Sequence, residues 1–277
     1  MNSGLVSIIM PARDVAIYIS DAIHSVISQT YSNWELIIIE NGSKDDTLKI
    51  IKEFTDTRIK IIQSEKTGLS HARNIGLNVF QGEFICFLDA DDKLPTRSLE
   101  SRISHFIKFP EITFLDGKVT TYNVDFSIIL REWAPEFKGR ASNEMALLTP
   151  RCFCGITWMI RVRPNMDFSF DESWTHLEDR VFFQRIAQYG IYDYLDQQVY
   201  IIRRRTGSLM TNHFELEKAY LRFMSYVKDL KLLSDDAILE ERKIFHILFF
   251  KTYLKQLLLL KAFRHLYLFF RIKLGLQ

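Results

Sequence analysis

The chain has 277 residues, of which 47% are apolar and 25% charged, and its formal net charge is +2. That composition excludes a disordered chain and suffices for one large α/β domain, or for a catalytic domain with a helical extension. The small net charge excludes a molecule that traps nucleic acid through its overall field, although from Arg242 onward there are Lys and Arg residues and no Asp or Glu.

Residues 6–10 are a short β-branched run closed by Pro11, which predicts a buried strand and then a loop. Ile19, Ala22, Ile23, Val26 and Ile27 recur at helical spacing within residues 18–29. Residues 36–39 predict the second strand, with Asn41-Gly42-Ser43 as its turn. Asp45 or Asp46 is placed to cap a helix running to Phe54, residues 59–62 predict a third strand, and Ser70 is placed to cap a helix running to Phe80.

The fourth predicted strand, residues 84–88, runs into Asp89-Ala90-Asp91-Asp92. A buried strand that delivers carboxylates at its carboxyl end suits a divalent cation, and a cation held there holds a phosphate. The simpler alternative is that Asp marks a turn or a helix cap. Strands alternating with helices at this spacing imply parallel βαβ units with ligands bound beyond the carboxyl ends of the strands. Pro11-Ala12-Arg13-Asp14, Glu40-Asn41-Gly42-Ser43 and Asp89-Ala90-Asp91 would then line one crevice. The absence of Gly-x-Gly-x-x-Gly after the first strand argues against a dinucleotide cofactor.

A helix is predicted over residues 96–109 and a strand over 113–121, after which 123–154 loses its pattern and reads as a loop-rich, acceptor-facing insertion. Helical spacing resumes from His176 to near Gly190. Glu178 and Asp179 fall in its first turn, where the helix dipole favours carboxylates. Residues 199–205 predict a last strand with a basic end.

Cys86, Cys152 and Cys154 match neither a zinc pattern nor a disulfide framework, so a reducing cytoplasm is expected, with a redox pair at 152 and 154 as a minor alternative. Met1-Asn2-Ser3-Gly4 has no signal-peptide character, and no run reaches the roughly eighteen uncharged apolar residues of a membrane span. The expectation is a cytoplasmic protein.

Taken in order, Val6-Ser7-Ile8-Ile9-Met10-Pro11, Ser28-Gln29-Thr30-Tyr31, Glu40-Asn41-Gly42-Ser43, Ala72-Arg73-Asn74-Ile75-Gly76, Phe87-Leu88-Asp89-Ala90-Asp91-Asp92 and Glu178-Asp179 resemble the family 2 inverting glycosyltransferases of the GT-A fold. The resemblance implies a catalytic domain over residues 1–210, of the type that builds bacterial surface polysaccharide. It places a nucleotide-sugar donor in the crevice, against Pro11, Ala12, Arg13, Asp14, Glu40, Asn41 and Ala90. It implies Mn²⁺ or Mg²⁺ on the donor diphosphate, with Asp91 as direct ligand and Asp89 on the metal and the donor ribose or sugar. Arg73 matches a donor-side arginine, Asp179 the general base that takes the acceptor proton, and Glu178 a residue that orients it.

Two departures from the family pattern bear on the donor. Glu40-Asn41 stands where two aspartates are common, and Arg13 stands where an aromatic often follows the proline. Glu40 still accepts a hydrogen bond from a uracil-type base, so a UDP-sugar is the expected donor and a glycan or lipid-linked glycan the expected acceptor. Arg203-Arg204-Arg205-Thr206-Gly207-Ser208 occupies the place of a loop over the diphosphate, with Arg205 or Arg203 expected on the phosphates. The rivals are a sugar-1-phosphate nucleotidyltransferase, whose Gly-rich signature is missing, and a degenerate protein that binds a glycan or a partner without turnover.

The remaining residues, 211–277, predict a helical extension. Phe245, Leu248, Phe249, Leu259, Leu260, Phe263, Leu266, Tyr267 and Phe270 fall on one face of a continuous helix, with Lys251, Lys255, Lys261, Arg264 and Arg271 elsewhere. That composition is expected of an interfacial helix on an anionic membrane surface, on the inner face of the cell membrane; a packed hairpin or a homodimer contact is the alternative.

Overall fold

The computed structural model of the chain describes residues 2–205 and 212–276. Its sheet begins with four parallel strands: β1 (Asn2–Ala12), β2 (Trp34–Glu40), β3 (Ile59–Gln63) and β4 (Gly82–Phe87). The intervening helices are α1 (Ile19–Ile27), α2 (Thr47–Ile51) and α3 (Leu69–Val79). Parallel neighbours need crossovers, and the two faces of the sheet are accordingly covered. One core cluster packs Ile8, Met10 and Leu36 against Ile19, Ile23 and Val26 of α1; the other packs Ile9, Ile37 and Phe87 against Ala72 and Leu77 of α3.

Beyond β4 come α4 (Ser98–Lys108), β5 (Ile112–Tyr122), β6 (Ile129–Trp133), β7 (Met159–Arg161), α5 (Glu178–Ile186) and β8 (Ile191–Arg203). The sheet order is β3-β2-β1-β4-β7-β5-β6, and β8 pairs in parallel with β5. β7 is antiparallel to both β4 and β5, and β6 is antiparallel to β5.

Several local expectations are revised. Pro11 does not close β1: it pairs in register with Ile39, Ala12 pairs with Glu40, and both residues are buried. Gly68, not Ser70, precedes α3, and α2 is a single short helix that stops at Ile51. β8 starts well before residue 199, and the stretch 123–154 contributes β6 and a short 3-10 turn, Glu144–Ala146, to an otherwise irregular segment.

The tail forms three helices, α6 (His213–Asp229), α7 (Asp235–Lys255) and α8 (Leu259–Lys273), and the single helical face expected over residues 245–270 is divided between the last two. The chain turns between the last two through Leu257, whose φ is +59°. The turn rotates the expected apolar face: Phe245 and Phe249 are buried, whereas Leu260, Phe263 and Tyr267 stand exposed. The buried set joins Leu216 and Phe223 of α6 to Trp174, Leu177 and Val181, so the tail packs directly on α5.

A candidate active site at the strand ends

The register of β1, β2 and β4 brings Arg13 and Asp14, Glu40 and Asn41, and Asp89 to one edge of the sheet. The loops lock one another. Asn41 N–H donates to the Ala12 carbonyl at 2.9 Å, the Asn41 side-chain oxygen accepts from Gly68 N–H at 3.1 Å, and Glu40 accepts from Ser43 N–H at 2.6 Å. Asp14, in the left-handed region at φ +50°, accepts from Lys44 N–H at 2.7 Å. Glu40 and Asn41 are buried while Arg13 and Asp14 are exposed, so the wall has a fixed floor and an accessible rim.

Across this edge runs one buried guanidinium. Arg73, on α3 and 2% exposed, donates from Nη1 to Glu178 Oε1 at 2.9 Å and from Nη2 to Asp89 Oδ1 at 3.1 Å. Its Nε has no hydrogen-bond partner. The aromatic ring of Phe170 lies 5.2 Å from the guanidinium carbon, which excludes water from one side. A charge buried this deeply is tolerated because two carboxylates face it. Three of the six resembling segments therefore meet at one side chain.

Glu178 and Asp179 open α5, directly after Leu177, which adopts φ +60° and ψ +19°. A branched residue in the left-handed region costs about 1–2 kcal/mol, a strain held here by the packing of Leu177 in the tail cluster. Burial raises the Asp179 carboxyl to about 6, and the charge of Glu178 adds to the rise; Arg73 opposes both. The Arg180 backbone N–H donates to Asp179 Oδ1 at 2.7 Å. The result is a carboxyl group poised near neutral pH beside a buried cation, the electrostatic setting of a general base.

At the carboxyl end of β4, burial raises Asp89, Arg73 lowers it, and the neighbouring Asp91 raises it again. Ala90 is buried between them. Asp91 Oδ2 is ion-paired with Arg205 Nε. Asp92 points inward, its carboxyl raised well above the ordinary value by burial and by the charges of Asp91 and Asp89. The Tyr200 hydroxyl accepts from Asp89 N–H at 3.0 Å and donates to the Asp92 carboxyl.

Arg203 is placed differently from its expected position over the phosphates. It is buried, and its donors are engaged by protein. Its backbone N–H goes to Asp92 at 2.8 Å, Nε to the Asp91 carbonyl at 2.9 Å, Nη1 to the Val124 carbonyl at 2.7 Å and Nη2 to Asp21 at 2.5 Å. The rings of Tyr18 and Phe126 lie 4.8 and 4.1 Å from its guanidinium carbon. It braces the acidic turn from behind, and Arg205 is the arginine that reaches its front. Thr206, Gly207 and Ser208, the rest of that expected loop, lie outside the described residues.

Asp21, Asp92 and Tyr200 are site-building residues that sequence reasoning did not single out. Asp92 was visible only as the third acid of its run, and nothing in the periodicity of α1 or β8 marks Asp21 or Tyr200. The cysteines lie apart from this chemistry. All three are free thiols; burial pushes Cys154 up to about 11 and raises Cys86 and Cys152 as well, the opposite of a reactive thiolate.

Residues 7–168 match the family model described as Glycosyl transferase family 2. The chain is 41% identical over 137 residues to the UDP-Glc:alpha-D-GlcNAc-diphosphoundecaprenol beta-1,3-glucosyltransferase WfgD of Escherichia coli, a match covering 49% of this chain and 53% of WfgD. It is 23% identical over 233 residues to the glycosyltransferase GlyG of Streptococcus pneumoniae serotype 4, covering 78% of this chain and 76% of GlyG. The chain thus spans about half the length of WfgD. Among solved structures, S. aureus TarS 1-349 in complex with UDP-GlcNAc superposes with a TM-score of 0.66 at 20% identity, covering 90% of this chain and 72% of that one. The mannosyltransferase PcManGT from Pyrobaculum calidifontis, in complex with GDP-Man and Mn2+, gives 0.58 at 17% identity, covering 87% and 69%. At these identities the structural likenesses speak for the fold.

Proposed function

Because the chain belongs to glycosyl transferase family 2, we propose that it moves one sugar from a nucleotide-sugar donor to a hydroxyl of a growing glycan, with inversion at the anomeric carbon. Its sheet and flanking helices have the GT-A architecture. The observation that carries the reading is Arg73, whose single buried guanidinium joins the acidic end of β4 to the acid pair that opens α5. Residues 1–210 are the catalytic unit in this reading and 211–277 its helical extension.

The acceptor oxygen attacks the anomeric carbon as its proton passes to Asp179, and the bond from that carbon to the donor diphosphate breaks with the electron pair leaving on the nucleotide. Glu178, held by Arg73, orients the base and the acceptor. Arg73 keeps positive charge beside Asp89, on the donor side. Asp91 and Asp89 fit a hard cation: they are two carboxylates at one strand end, and Asp91 already draws a cationic partner in Arg205. Held by Asp91 and Asp89, Mn²⁺ or Mg²⁺ would neutralise the charge that develops on the leaving diphosphate. Arg205 is the arginine assigned to the phosphates.

The preferred donor is a UDP-sugar, with Glu40 and Asn41 toward the base and Arg13 and Asp14 at the rim. WfgD, by its name, uses UDP-Glc and a diphosphoundecaprenol-linked sugar, which supports a lipid-linked glycan as acceptor. Such an acceptor would bring the protein to the cytoplasmic face of a membrane.

Calorimetric titration of UDP, GDP, CDP and dTDP with and without Mn²⁺ tests the donor and metal assignments. The expected result is metal-dependent binding of UDP, weakened at least tenfold in Asp91→Ala. Equal UDP affinity in the variant would remove Asp91 from the metal site, and no nucleotide binding under any condition would overturn the transferase reading.

A further inference from the structure

The outward face of α8 is apolar. Leu260, Phe263, Tyr267, Phe270 and Leu274 follow one another at steps of three and four residues, which align on one helical stripe, and they are 91, 57, 62, 48 and 70% exposed. Leu257, in the preceding turn, is 81% exposed and extends the stripe beyond the helix. The opposite face of α8 carries Ala262 and His265, both buried against α7 and α6. The hairpin has thus satisfied its packing on one side while leaving a row of large side chains in water on the other, an arrangement that marks an interaction surface.

The charge around the stripe selects its occupant. Arg264 and Arg271 fall on the helix flank beside it, Lys255 precedes the turn, and no acidic residue occurs after Glu241; Lys261 instead turns back over the ring of Phe214, 3.3 Å away. In the seam between α7 and α8 lies a groove of about 530 Å³, its apolar wall including Ile244, Ile247 and Phe269 and its polar residues being Lys243, Lys251 and Lys273 with the one carboxylate of Glu240. Two copies meeting through this face about a two-fold axis would bring basic flank toward basic flank, with only Glu240, already paired to Lys243 of its own helix, as a carboxylate nearby. An anionic surface with an apolar interior answers both features. No helix among the described residues is long and apolar enough to cross a membrane.

We propose that α8 and the turn before it form a docking surface for an anionic lipid bilayer, with the leucine and aromatic stripe entering the acyl boundary and the Lys and Arg flank lying at the headgroups. The surface differs from a continuous interfacial helix over residues 245–270, because Phe245 and Phe249 belong to the protein core. That core also contains Leu177 and Val181, so α8 is joined through α7 and α6 to the helix whose first turn carries Asp179. The inference goes beyond sugar transfer and is tested without donor or turnover, so its failure leaves the transferase reading intact.

The test is co-sedimentation of the full chain with vesicles of phosphatidylglycerol and phosphatidylethanolamine, against vesicles of phosphatidylcholine alone. Binding to the anionic vesicles is expected, falling with added salt and at least tenfold weaker on the neutral ones. Leu260→Ser/Phe263→Ser/Tyr267→Ser, at exposed positions, should reduce partitioning at least tenfold with an unchanged melting temperature. Lys255→Glu/Arg264→Glu should do the same through charge alone. The proposal is overturned if both variants sediment like the parent chain or if neutral vesicles bind equally well. It is equally overturned if the parent ignores vesicles and instead forms a dimer that the serine variant dissolves, which would assign the stripe to a second copy.

Discussion

At the strand-end crevice, buried charges meet in opposite-signed contacts. Arg73 lies between Asp89 and Glu178, and Arg203 spans Asp21, the Asp91 backbone and Asp92. In the helical tail, the buried polar groups form a chain of a different kind. Tyr253 donates to Glu217, His265 Nε2 lies 3.3 Å from Glu217, and His265 Nδ1 lies 3.0 Å from His246 Nδ1, while the lysines and arginines stay at the surface. The crevice sets guanidinium groups against carboxylates at the sheet edge, whereas the tail buries a hydrogen-bonded network in which burial lowers both histidines. One region is built for charge chemistry and the other for packing and contact.

The sharpest way to separate the regions is to remove charge from the crevice alone. Asp179→Asn should lower kcat by roughly 10²–10⁴-fold, the usual contribution of a general base, while leaving UDP affinity within about twofold. The parent enzyme should lose activity as pH falls through about 6, because the base acts only when deprotonated and its carboxyl is raised to that value. A variant that kept kcat, or an acid limb near 4 in the parent, would take the role away from Asp179.

Arg73→Met tests whether the crevice depends on its central cation. Removing one partner of a buried ion pair leaves the others uncompensated and typically costs 3–5 kcal/mol. Asp89 is partly open to water, so the lower end, about 3 kcal/mol, is expected here. A urea midpoint unchanged from the parent would show that Asp89 and Glu178 do not depend on Arg73.

Much of the crevice was legible in the sequence, and the reason is local. The alternation of apolar strands with helical stripes through residue 88, and the abrupt change from Phe87-Leu88 to Asp89-Ala90-Asp91-Asp92, are signals contained in short windows. The bridge from Arg73 to Glu178 spans 105 positions, and no window contains it. The same applies to β7, a three-residue strand that exists only because β4 and β5 flank it. In the tail, Gln256-Leu257-Leu258-Leu259-Leu260 contains no glycine or proline, so its turn has no breaker to announce it and the residues read as one continuous helix.

Asp116, on β5, sharpens the comparison from the sheet side. It is fully buried, accepting from Gly117 N–H and the Thr157 hydroxyl, each at 2.8 Å, yet burial lifts its carboxyl to about 7. A group raised above its unfolded value stabilises the fold fully below that value and loses its contribution as pH rises through the folded one. Stability should therefore fall by about 2–3 kcal/mol between pH 5 and pH 8 through this group. Asp116→Asn should remove that slope in thermal melts; an equally steep variant would place the titration elsewhere.

The tail should respond to pH with the opposite sign. Burial lowers His246 to about 4, helped by the charges of His265 and Arg242 and opposed by Glu217; His265 is also lowered by burial, and Arg264 and Lys261 add positive charge beside it. A histidine depressed in the fold stabilises it above the unfolded value of 6.5 and loses that contribution as pH falls toward the folded one. Between pH 7 and pH 5 the loss through His246 is about 2 kcal/mol, over a range in which Asp116 strengthens the sheet. Amide exchange, corrected for its intrinsic pH dependence, should then quicken in α7 and α8 on acidification while β5 keeps its protection. His246→Phe offers an apolar ring of similar size and should abolish the acid-induced loosening, at a cost within about 1 kcal/mol at pH 7. Equal protection of the tail at both pH values would mean that the histidine pair carries a proton without strain, and the contrast between a charged crevice and a neutral tail core would fail at its centre.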